Sequence, residues 1–388
     1  MRLPSSRLFA VLSLGLLLPV GCGKFFVDPN GVGGTSTCST NCIYIANSGT
    51  DDVAAFAATN PLSVVSSVNA SFGEIPTAMA VSPNNAYLYV ASASGAEISL
   101  FNIQDGGSLG TETPEVTAIT PYALAVDTTS TYLLAAGLAV SSSCTSGLQV
   151  GLYVYTIGTD GAITNTSVTP AGGPCGSTTA GYPLGIAVSP SDGYIFVAAG
   201  TNGIVGYTFS GGVATPEAYL SCTVGGTGCA LTGDTSVSGV VVDPNSAYVF
   251  ASATGSPDGG VAQFGIPVTT APALTLKGAI QDLGGAFAAI TTSSSYVYAT
   301  ALNTGQVYGF SYTSGGLTAL SGSPYSPSVG SSGTVGIAAT SGFVFTINSD
   351  SGGNLQEFTV GSGGVLNAIG TGSTSSGTYA PVALAVTQ

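Results

Sequence analysis

The sequence contains no histidine and very few charged residues of either sign. Asp, Glu, Lys and Arg make up 6% of its 388 residues, against about 25% in an ordinary globular domain. Only four basic residues face 18 acidic ones, which gives a formal net charge of −14. Without histidine a Ser-His-Asp triad is excluded. Without a row of cations the protein cannot neutralise phosphates, so nucleic acid is excluded as a partner.

Small and β-forming residues take the place of the missing charges. The chain has 57 glycines and 18 tyrosines, and 44% of its residues are hydrophobic. That apolar fraction is ample for a folded core, so the chain is not predicted to be disordered. Residues that favour strands and turns outnumber residues that favour exposed helix. The composition predicts an all-β globular protein.

The N-terminus resembles the signal peptide of a bacterial lipoprotein. Arg2 and Arg7 precede an apolar segment, residues 8–18, which is too short to span a bilayer comfortably. Gly21 and Cys22 follow, as in a lipobox. The resemblance implies a signal peptide over 1–21, acylation of Cys22 and a tether over 22–42. It also implies an exported protein anchored in the cell envelope, with the outer membrane favoured because no acidic retention signal follows Cys22.

Two points about the exported chain follow from this assignment. Plain signal cleavage after Gly23 is the alternative to acylation. Either way, Lys24 and Lys277 are the only cations left against the 18 acidic residues. This balance disfavours acidic small molecules as ligands.

The cysteines fit an exported protein. Besides Cys22 there are six, an even number, which predicts disulfides in an oxidising compartment: Cys38, Cys42, Cys144, Cys175, Cys222 and Cys229. A zinc site is the alternative. It is disfavoured because the chain has no histidine and no Cys-x-x-Cys pair. No metal and no cofactor is predicted.

The remainder of the chain repeats one unit. The stretch PTAMAVSP (76–83) recurs as PYALAVD (121–127), PLGIAVSP (183–190) and PVALAVTQ (381–388), and a strand such as YLYVAS (87–92) follows most copies. A third strand ends near an aromatic residue, and these aromatics are spaced 45 to 57 residues apart: Phe56, Phe101, Tyr155, Tyr207, Phe264, Phe310 and Phe358. A fourth strand follows a Gly-rich turn in most copies. Seven copies of four strands predict a seven-bladed β-propeller.

The order of the repeats predicts how the ring closes. We name the strands A to D from the axis outward, beginning with the PTAMAVSP type. The repeat region starts with a B strand at residue 43 and ends with an A strand at 381–388. The C-terminal strand can therefore complete the N-terminal blade, which removes an open sheet edge. The propeller is predicted to span 43–388.

The repeat residues resemble those of a known family. YIAN (44–47), YVAS (89–92) and the AVSP turns (80–83 and 187–190) are similar to the repeats of lactonase-type seven-bladed propellers. That family includes 6-phosphogluconolactonase-like enzymes and non-enzymatic surface propellers with YVTN-type repeats. The resemblance implies the propeller fold, with lactone hydrolysis or binding as its function. Enzymes of this kind are expected to use Arg, His and acidic residues near the axis, and this propeller region has neither Arg nor His.

The long connections are predicted to gather on one face of the propeller. They are the B–C loop at 137–151 and the D–A loops at 168–182 and 221–238. Cys144 and Cys175 fall in two such loops of one blade and are expected to pair, as are Cys222 and Cys229 within one loop. Long loops that are crosslinked on one face indicate a binding surface.

Six residues near this face are candidates for ligand contacts. The acids precede inner strands and are expected to rim the axis, where a pair could act as general acid and base; the tyrosines flank prolines that lead into inner strands and could stack on a sugar or peptide. They are Glu74, Asp234, Asp282, Tyr122, Tyr182 and Tyr379. Solvated carboxylates and rings packed between blades are the alternatives.

Two functions remain open from the sequence. The first is a lipid-anchored binding scaffold for a protein, peptide or glycan. The second is a hydrolase of an uncharged lactone. The absence of Arg and His from the propeller region favours the scaffold.

Overall fold

The computed structural model describes residues 37–38, 40–59, 62–68, 74–169, 174–176, 181–223, 234–255, 259–267, 273–327, 333–349, 354–369, 374–375 and 380–388. The signal peptide and Cys22 lie outside these ranges, as do Cys229 and Tyr379. Within them the regular structure is β-strand, apart from two 3₁₀ turns at Ala218–Leu220 and Ser362–Gly364. None of the described segments is a helix long and apolar enough to cross a membrane.

The strands form seven antiparallel sheets, the blades. Blade 1 contains β1 (Cys42–Asn47), β2 (Asp52–Ala57) and β3 (Ser63–Val68). Blade 2 contains β4 (Pro76–Val81), β5 (Tyr87–Ser92), β6 (Glu97–Asn102) and β7 (Thr113–Val116). Blade 3 contains β8 (Thr120–Val126), β9 (Tyr132–Val140), β10 (Leu148–Ile157) and β11 (Ile163–Thr169). Blade 4 contains β12 (Gly185–Val188), β13 (Tyr194–Ala198), β14 (Ile204–Ser210) and β15 (Val213–Pro216).

The last three blades follow the same plan, and two of them carry an extra short strand. Blade 5 contains β16 (Asp234–Val242), β17 (Tyr248–Gly255), β18 (Gly260–Gly265), β19 (Thr275–Leu276) and β20 (Gln281–Asp282). Blade 6 contains β21 (Phe287–Ser293), β22 (Tyr296–Ala301), β23 (Val307–Thr313) and β24 (Gly316–Ala319). Blade 7 contains β25 (Thr334–Ala339), β26 (Phe343–Asn348), β27 (Asn354–Val360), β28 (Leu366–Ala368) and β29 (Thr374–Ser375).

The C-terminal strand closes the ring, as the sequence predicted. β30 (Pro381–Val386) pairs antiparallel with β1, and Ile45 lies opposite Leu384. It is strand A of blade 1, so the sheet order is β3-β2-β1-β30. Each strand A also contacts strand A of the next blade, from β4 round to β30 and back to β4. The propeller is therefore a closed ring around its inner strands.

The hydrophobic core is divided among the blade interfaces. The described residues form seven apolar clusters, and each cluster joins side chains from two neighbouring blades. All six residues of β1 are buried, because Ile43 and Ile45 pack against blade 7 while Tyr44 and Ala46 pack against blade 2. A strand covered on both faces has no need of polar positions. This explains why the inner strands read as continuous apolar runs.

The two faces of the ring are defined by the connections they carry. We call the face with the A–B and C–D turns the lower face, and the face with the B–C and D–A connections the upper face. At the lower end of every strand A lies one polar residue, and each is buried: Ser82, Asp127, Ser189, Asp243, Ser293, Thr340 and Thr387. In five blades this side chain accepts a hydrogen bond from the first backbone N–H of strand B. In the Ser-Pro and Asp-Pro turns of the sequence, the Ser or Asp side chain thus caps the first backbone N–H of strand B.

Glycines in C–D turns let neighbouring blades approach closely. Gly161 has a φ of +85°, and a Cβ added there would lie 2.5 Å from the Tyr87 ring of the preceding blade. Gly107 has a φ of +84° and faces the Cys38–Cys42 disulfide in the same way, with the added Cβ 2.2 Å from Cys38 Sγ. The disulfide therefore occupies, in blade 1, the place that a tyrosine ring takes in blade 2. Strand β1 begins at Cys42, one residue before the predicted start of the propeller.

Candidate functional site

Near the upper face, strand A of most blades contains a β-bulge. In six blades the pairing register between strands A and B shifts by one residue near the start of strand A. A bulge leaves one residue unpaired and re-aims its side chain. The bulged residues are Thr77, Tyr122, Ser238, Ala288, Val335 and Val382, and blade 5 has a second bulge at Thr235. None of them carries a charge, so the bulges place no charged side chain near the upper ends of the inner strands.

Two of the bulged hydroxyl groups tie neighbouring blades together. Thr77 Oγ1 donates to the carbonyl of Pro121 in the next blade at 3.0 Å. Ser238 Oγ donates in the same way to the carbonyl of Phe287. These hydroxyls are committed to the ring, so they are poorly placed to act on a ligand.

The bulge at Tyr122 produces an aromatic pair. Its ring lies 5.2 Å from the ring of Tyr182, centroid to centroid, at an interplanar angle of 42°. Tyr122 belongs to blade 3, and Tyr182 leads into strand A of blade 4. Burial, followed by the neighbouring Tyr182, raises the pKa of the Tyr122 phenol. Both rings remain half-buried, so a partial aromatic surface is presented between these two blades.

Two of the candidate acids, Glu74 and Asp282, lie apart from each other in the structure. Glu74 lies across the B–C turn of blade 2, because a Cβ added to Gly95 would be 2.8 Å from its Cγ. Asp282 pairs with Gly260 on the outer side of β18. Two strands, β17 and β18, therefore separate it from β16, the strand A of this blade. The expectation that Asp282 rims the axis is therefore wrong, because the chain adds a short outer strand before it turns inward. Asp282 is exposed, and its Oδ1 accepts a hydrogen bond from Gly284 N at 3.1 Å.

Unlike Asp282, Asp234 has its backbone in an inner strand. It begins β16, an inner strand, and lies opposite Gly255. Tyr379 lies outside the described residues. Within the described ranges, no group of three or more His, Cys, Asp or Glu side chains is arranged to hold a metal ion.

The long connections of the upper face are partly strand. The predicted loop 137–151 is mostly an extension of the hairpin of blade 3, since β9 continues to Val140 and β10 begins at Leu148. Cys144, in the turn between them, forms the predicted disulfide with Cys175. Cys222 is also disulfide-bonded. The upper face of blades 3 and 4 is therefore reinforced by crosslinks.

Most of the exposed large hydrophobic side chains also lie on the upper face. Among the described residues, five large hydrophobic side chains are exposed, and four lie on the upper face of blades 2 to 4: Ile75, Val116, Val140 and Leu184. Val140 is 90% exposed at the tip of the extended hairpin. The fifth, Val213, begins strand D of blade 4 and lies on the lower face. We call the four upper-face residues the apolar sector.

The apolar sector was not predicted from the sequence. Ile75 and Leu184 adjoin the prolines of strand A, and Val140 continues an apolar run, so each reads as part of a buried strand. The one available signal is length. Strand β9, Tyr132–Val140, is longer than strand B of every other blade, and its end must leave the interface between blades.

No protein-family profile and no curated protein matches this sequence. Solved structures do match it. A periplasmic gluconolactonase from Pseudomonas aeruginosa has a TM-score of 0.66 and 15% identity, covering 90% of this chain and 99% of its own. A candidate 6-phosphogluconolactonase from Bacteroides fragilis has a TM-score of 0.67 and 15% identity, with coverage of 90% and 98%. A functionally unknown protein from Desulfotomaculum acetoxidans has a TM-score of 0.66 and 14% identity, with coverage of 90% and 99%.

The chain has the fold of the lactonase-type propellers. This confirms the fold that the repeat residues implied. At such identities the likeness concerns the blades and their closure, which are shared by propellers with unrelated activities.

Proposed function

We propose that the protein is a binding propeller whose upper face, at the apolar sector of blades 2 to 4, docks a protein or peptide. The observation that carries the proposal is that four of the five exposed large hydrophobic residues of the described chain lie on the upper face of three consecutive blades. Exposed apolar side chains gathered on one surface mark interaction sites. The half-buried Tyr122–Tyr182 pair adds aromatic surface of the kind enriched at protein interfaces.

The composition of the site also supports binding over catalysis. Among the described residues the single cation is Lys277, which belongs to blade 5. The apolar sector therefore has no cationic group for charge-assisted bonds to an anionic substrate. Glu74 precedes strand A of blade 2, whereas Asp282 lies in the outermost strand of blade 5, so these two acids are not placed together as a general acid and base.

We also propose that the protein works in the bacterial cell envelope, held there by an acylated Cys22. The Cys38–Cys42 and Cys144–Cys175 disulfides support an oxidising location. The proposed tether joins the propeller at its lower face, since Cys38 N donates to the carbonyl of Gly106 in a C–D turn. Replacing Cys22 by Ser is expected to move the protein from the membrane fraction to the soluble fraction. An unchanged distribution would contradict the anchor and leave the binding proposal intact.

Site-specific photo-crosslinking in the producing cells tests the docking surface. A photoreactive phenylalanine analogue is placed at Val140, at Leu184 and, as the matched control, at Val213 on the lower face. We expect a discrete protein adduct from the two upper-face positions and none from Val213. The adduct partner, once purified, should bind the wild type and the Val213→Asp variant equally. Its affinity should fall at least tenfold for Leu184→Asp, because a carboxylate would be buried against an apolar surface.

Two outcomes would contradict the proposal. Equal adducts from Val140 and Val213 would show that the apolar sector has no special affinity for a partner. A purified neutral oligosaccharide that binds the wild type, but not Tyr122→Ala or Tyr182→Ala, would make the ligand a glycan.

Hydrolysis of an uncharged lactone is the second candidate function. It is favoured by the structural likeness to a protein described as a periplasmic gluconolactonase. Glucono-1,5-lactone is the probe, with 6-phosphogluconolactone as the anionic comparison. We expect neither to be hydrolysed above the spontaneous rate, because the described bulged residues include no carboxylate, histidine or lysine, and the one phenol among them, Tyr122, has a raised pKa. Turnover of the neutral lactone that is lost in Glu74→Gln or Asp234→Asn would establish the enzyme instead.

A further inference from the structure

Blade 7 buries a carboxyl group that has no partner. Glu357 lies in the middle of β27 and is 3% exposed. Neither of its carboxyl oxygens has a hydrogen-bond partner within the described structure. An ionised carboxylate in such a place is strongly disfavoured unless it is paired. The group therefore requires an explanation.

Glu357 lies at the interface between blade 7 and blade 1. It is directly opposite Phe345 on β26, and directly opposite residues of paired strands share a face of the sheet. Phe345 and Leu355, two residues before Glu357, pack against Ile43 and Ile45 of blade 1. This is the interface that the ring must close between its last and first blades.

No described group can compensate a charge on Glu357. Strands β26, β28 and β30 contain no titratable side chain. On β1, Tyr44 faces blade 2 and Cys42 is in a disulfide. Asp52 begins β2 at its upper end, where its carboxylate accepts a hydrogen bond from Asn47. Burial is accordingly the cause of the raised pKa of Glu357, which lies at about 7.

Blade 5 carries an amide at the equivalent position. Gln263, like Glu357, precedes the aromatic residue of strand C, and it is fully buried. Its Nε2 donates to the carbonyl of Thr313, the last residue of strand C in the next blade, at 2.8 Å. Thr59 of blade 1 corresponds to Thr313, since each lies three residues after its aromatic. A protonated Glu357 has one O–H to donate where Gln263 has its N–H, and an ionised one has none.

We propose that Glu357 is a protonation latch: its carboxylic acid closes the interface between blades 7 and 1, and its carboxylate loosens that interface. The direction of the effect follows from the folded pKa of about 7, which lies above the ordinary value of 4.5. Below about pH 4.5 the group is protonated in the folded and unfolded chains alike. As the pH rises towards 7, only the unfolded chain loses the proton, so stability falls, and above that pH the loss is complete.

Urea unfolding of the full-length protein between about pH 5 and about pH 8 tests the latch. The comparison variant is Glu357→Gln, which keeps the size and the donor but cannot ionise. We expect the wild-type unfolding constant to rise, relative to that of the variant, by up to roughly 100-fold across this range. Hydrogen exchange, corrected for its intrinsic pH dependence, should show the loss of protection first in β1, β2, β26 and β27.

The mirror substitution is Gln263→Glu. It should transfer the same pH dependence to the interface between blades 5 and 6, with exchange rising in β18 and β23. Because this variant is independent of Glu357, it also serves if Glu357→Gln fails to fold. Equal pH dependence in the wild type and in Glu357→Gln would overturn the proposal. So would exchange that rises equally at all the blade interfaces.

Discussion

The lower face of the propeller repeats its turn contacts in most blades, whereas the upper face repeats the bulge of strand A but varies in its B–C and D–A connections. On the lower face a buried Ser, Asp or Thr ends every strand A, and a C–D glycine in blades 2, 3, 4 and 7 receives a ring or a disulfide from the preceding blade. On the upper face one hairpin is extended, two cysteines crosslink it, and hydrophobic residues are exposed in three neighbouring blades. Repeated contacts hold the ring together, and the departures from the repeat mark where this chain differs from a generic propeller.

The difference has a physical basis. Lower-face turns are short, and their buried backbone groups need partners at fixed positions, so a short side chain with an oxygen atom (Ser, Asp or Thr) recurs there. Upper-face connections reach solvent, which satisfies backbone groups without a fixed side chain. Stability is thus expected to depend on the lower face and recognition on the upper face.

Replacing Asp243 by Ala should give the largest effect on stability. Its Oδ1 accepts hydrogen bonds from the backbone N–H groups of Ala247 and Tyr248, each at 2.6 Å. The residue is 0% exposed, so the variant leaves buried donors unpaired. We expect a loss of about 2–4 kcal/mol in the free energy of unfolding, measured with urea.

Asp243→Ser is the matched control for this change. Ser82 and Ser189 stand at the same place in blades 2 and 4 and accept the equivalent bond from strand B. The serine variant should therefore lose only about 1 kcal/mol. On the upper face, Leu184→Ser should change stability by less than about 0.5 kcal/mol. If Leu184→Ser costs as much as Asp243→Ala, the proposed division of roles between the faces does not hold.

Removing either of two buried tyrosine hydroxyl groups should change stability by a smaller amount, and the two changes should have opposite signs. Tyr298 Oη donates to the carbonyl of Gly364 in the C–D turn of the next blade at 2.7 Å. Tyr207 Oη is buried and has no partner within the described structure. Tyr298→Phe should destabilise by about 1 kcal/mol, and Tyr207→Phe should stabilise by about 0.5–1 kcal/mol, because it removes an unpaired polar atom.

Thermal unfolding of the two variants beside the wild type measures these effects. Each substitution removes one oxygen atom, so differences in packing are small and the contrast isolates the hydrogen bond. A destabilised Tyr207→Phe variant would indicate that this hydroxyl has a partner after all. A neutral Tyr298→Phe variant would show that the lower-face contact adds nothing to the ring.

The repeat made much of the fold predictable. Seven PTAMAVSP-like copies, and a chain that runs from a B strand to an A strand, predicted the blades and the closure by β30. The Cys144–Cys175 pair was also predictable, because both cysteines fall in upper-face connections of one blade. These features depend on local periodicity and on the order of strands, which a sequence displays directly.

The candidate site was less predictable. Glu74 and Asp282 both precede inner strands in the sequence, yet Glu74 lies over Gly95 and Asp282 pairs at an outer edge. The course of a connection between two strands is set by contacts that no local pattern encodes. The adjacency of Tyr122 and Tyr182 likewise required two blades to be placed side by side.

By itself, the sequence determined the all-β class, the seven blades and the absence of histidine chemistry, since composition and period constrain these directly. Only the tertiary structure decided which apolar residues were left exposed at 75, 140 and 184. It also decided that Glu357, polar in the sequence, would be buried at 3% exposure. The physical reason is the same for both. Burial in a propeller depends on the neighbouring blade that covers a strand, and that blade lies far away in the chain.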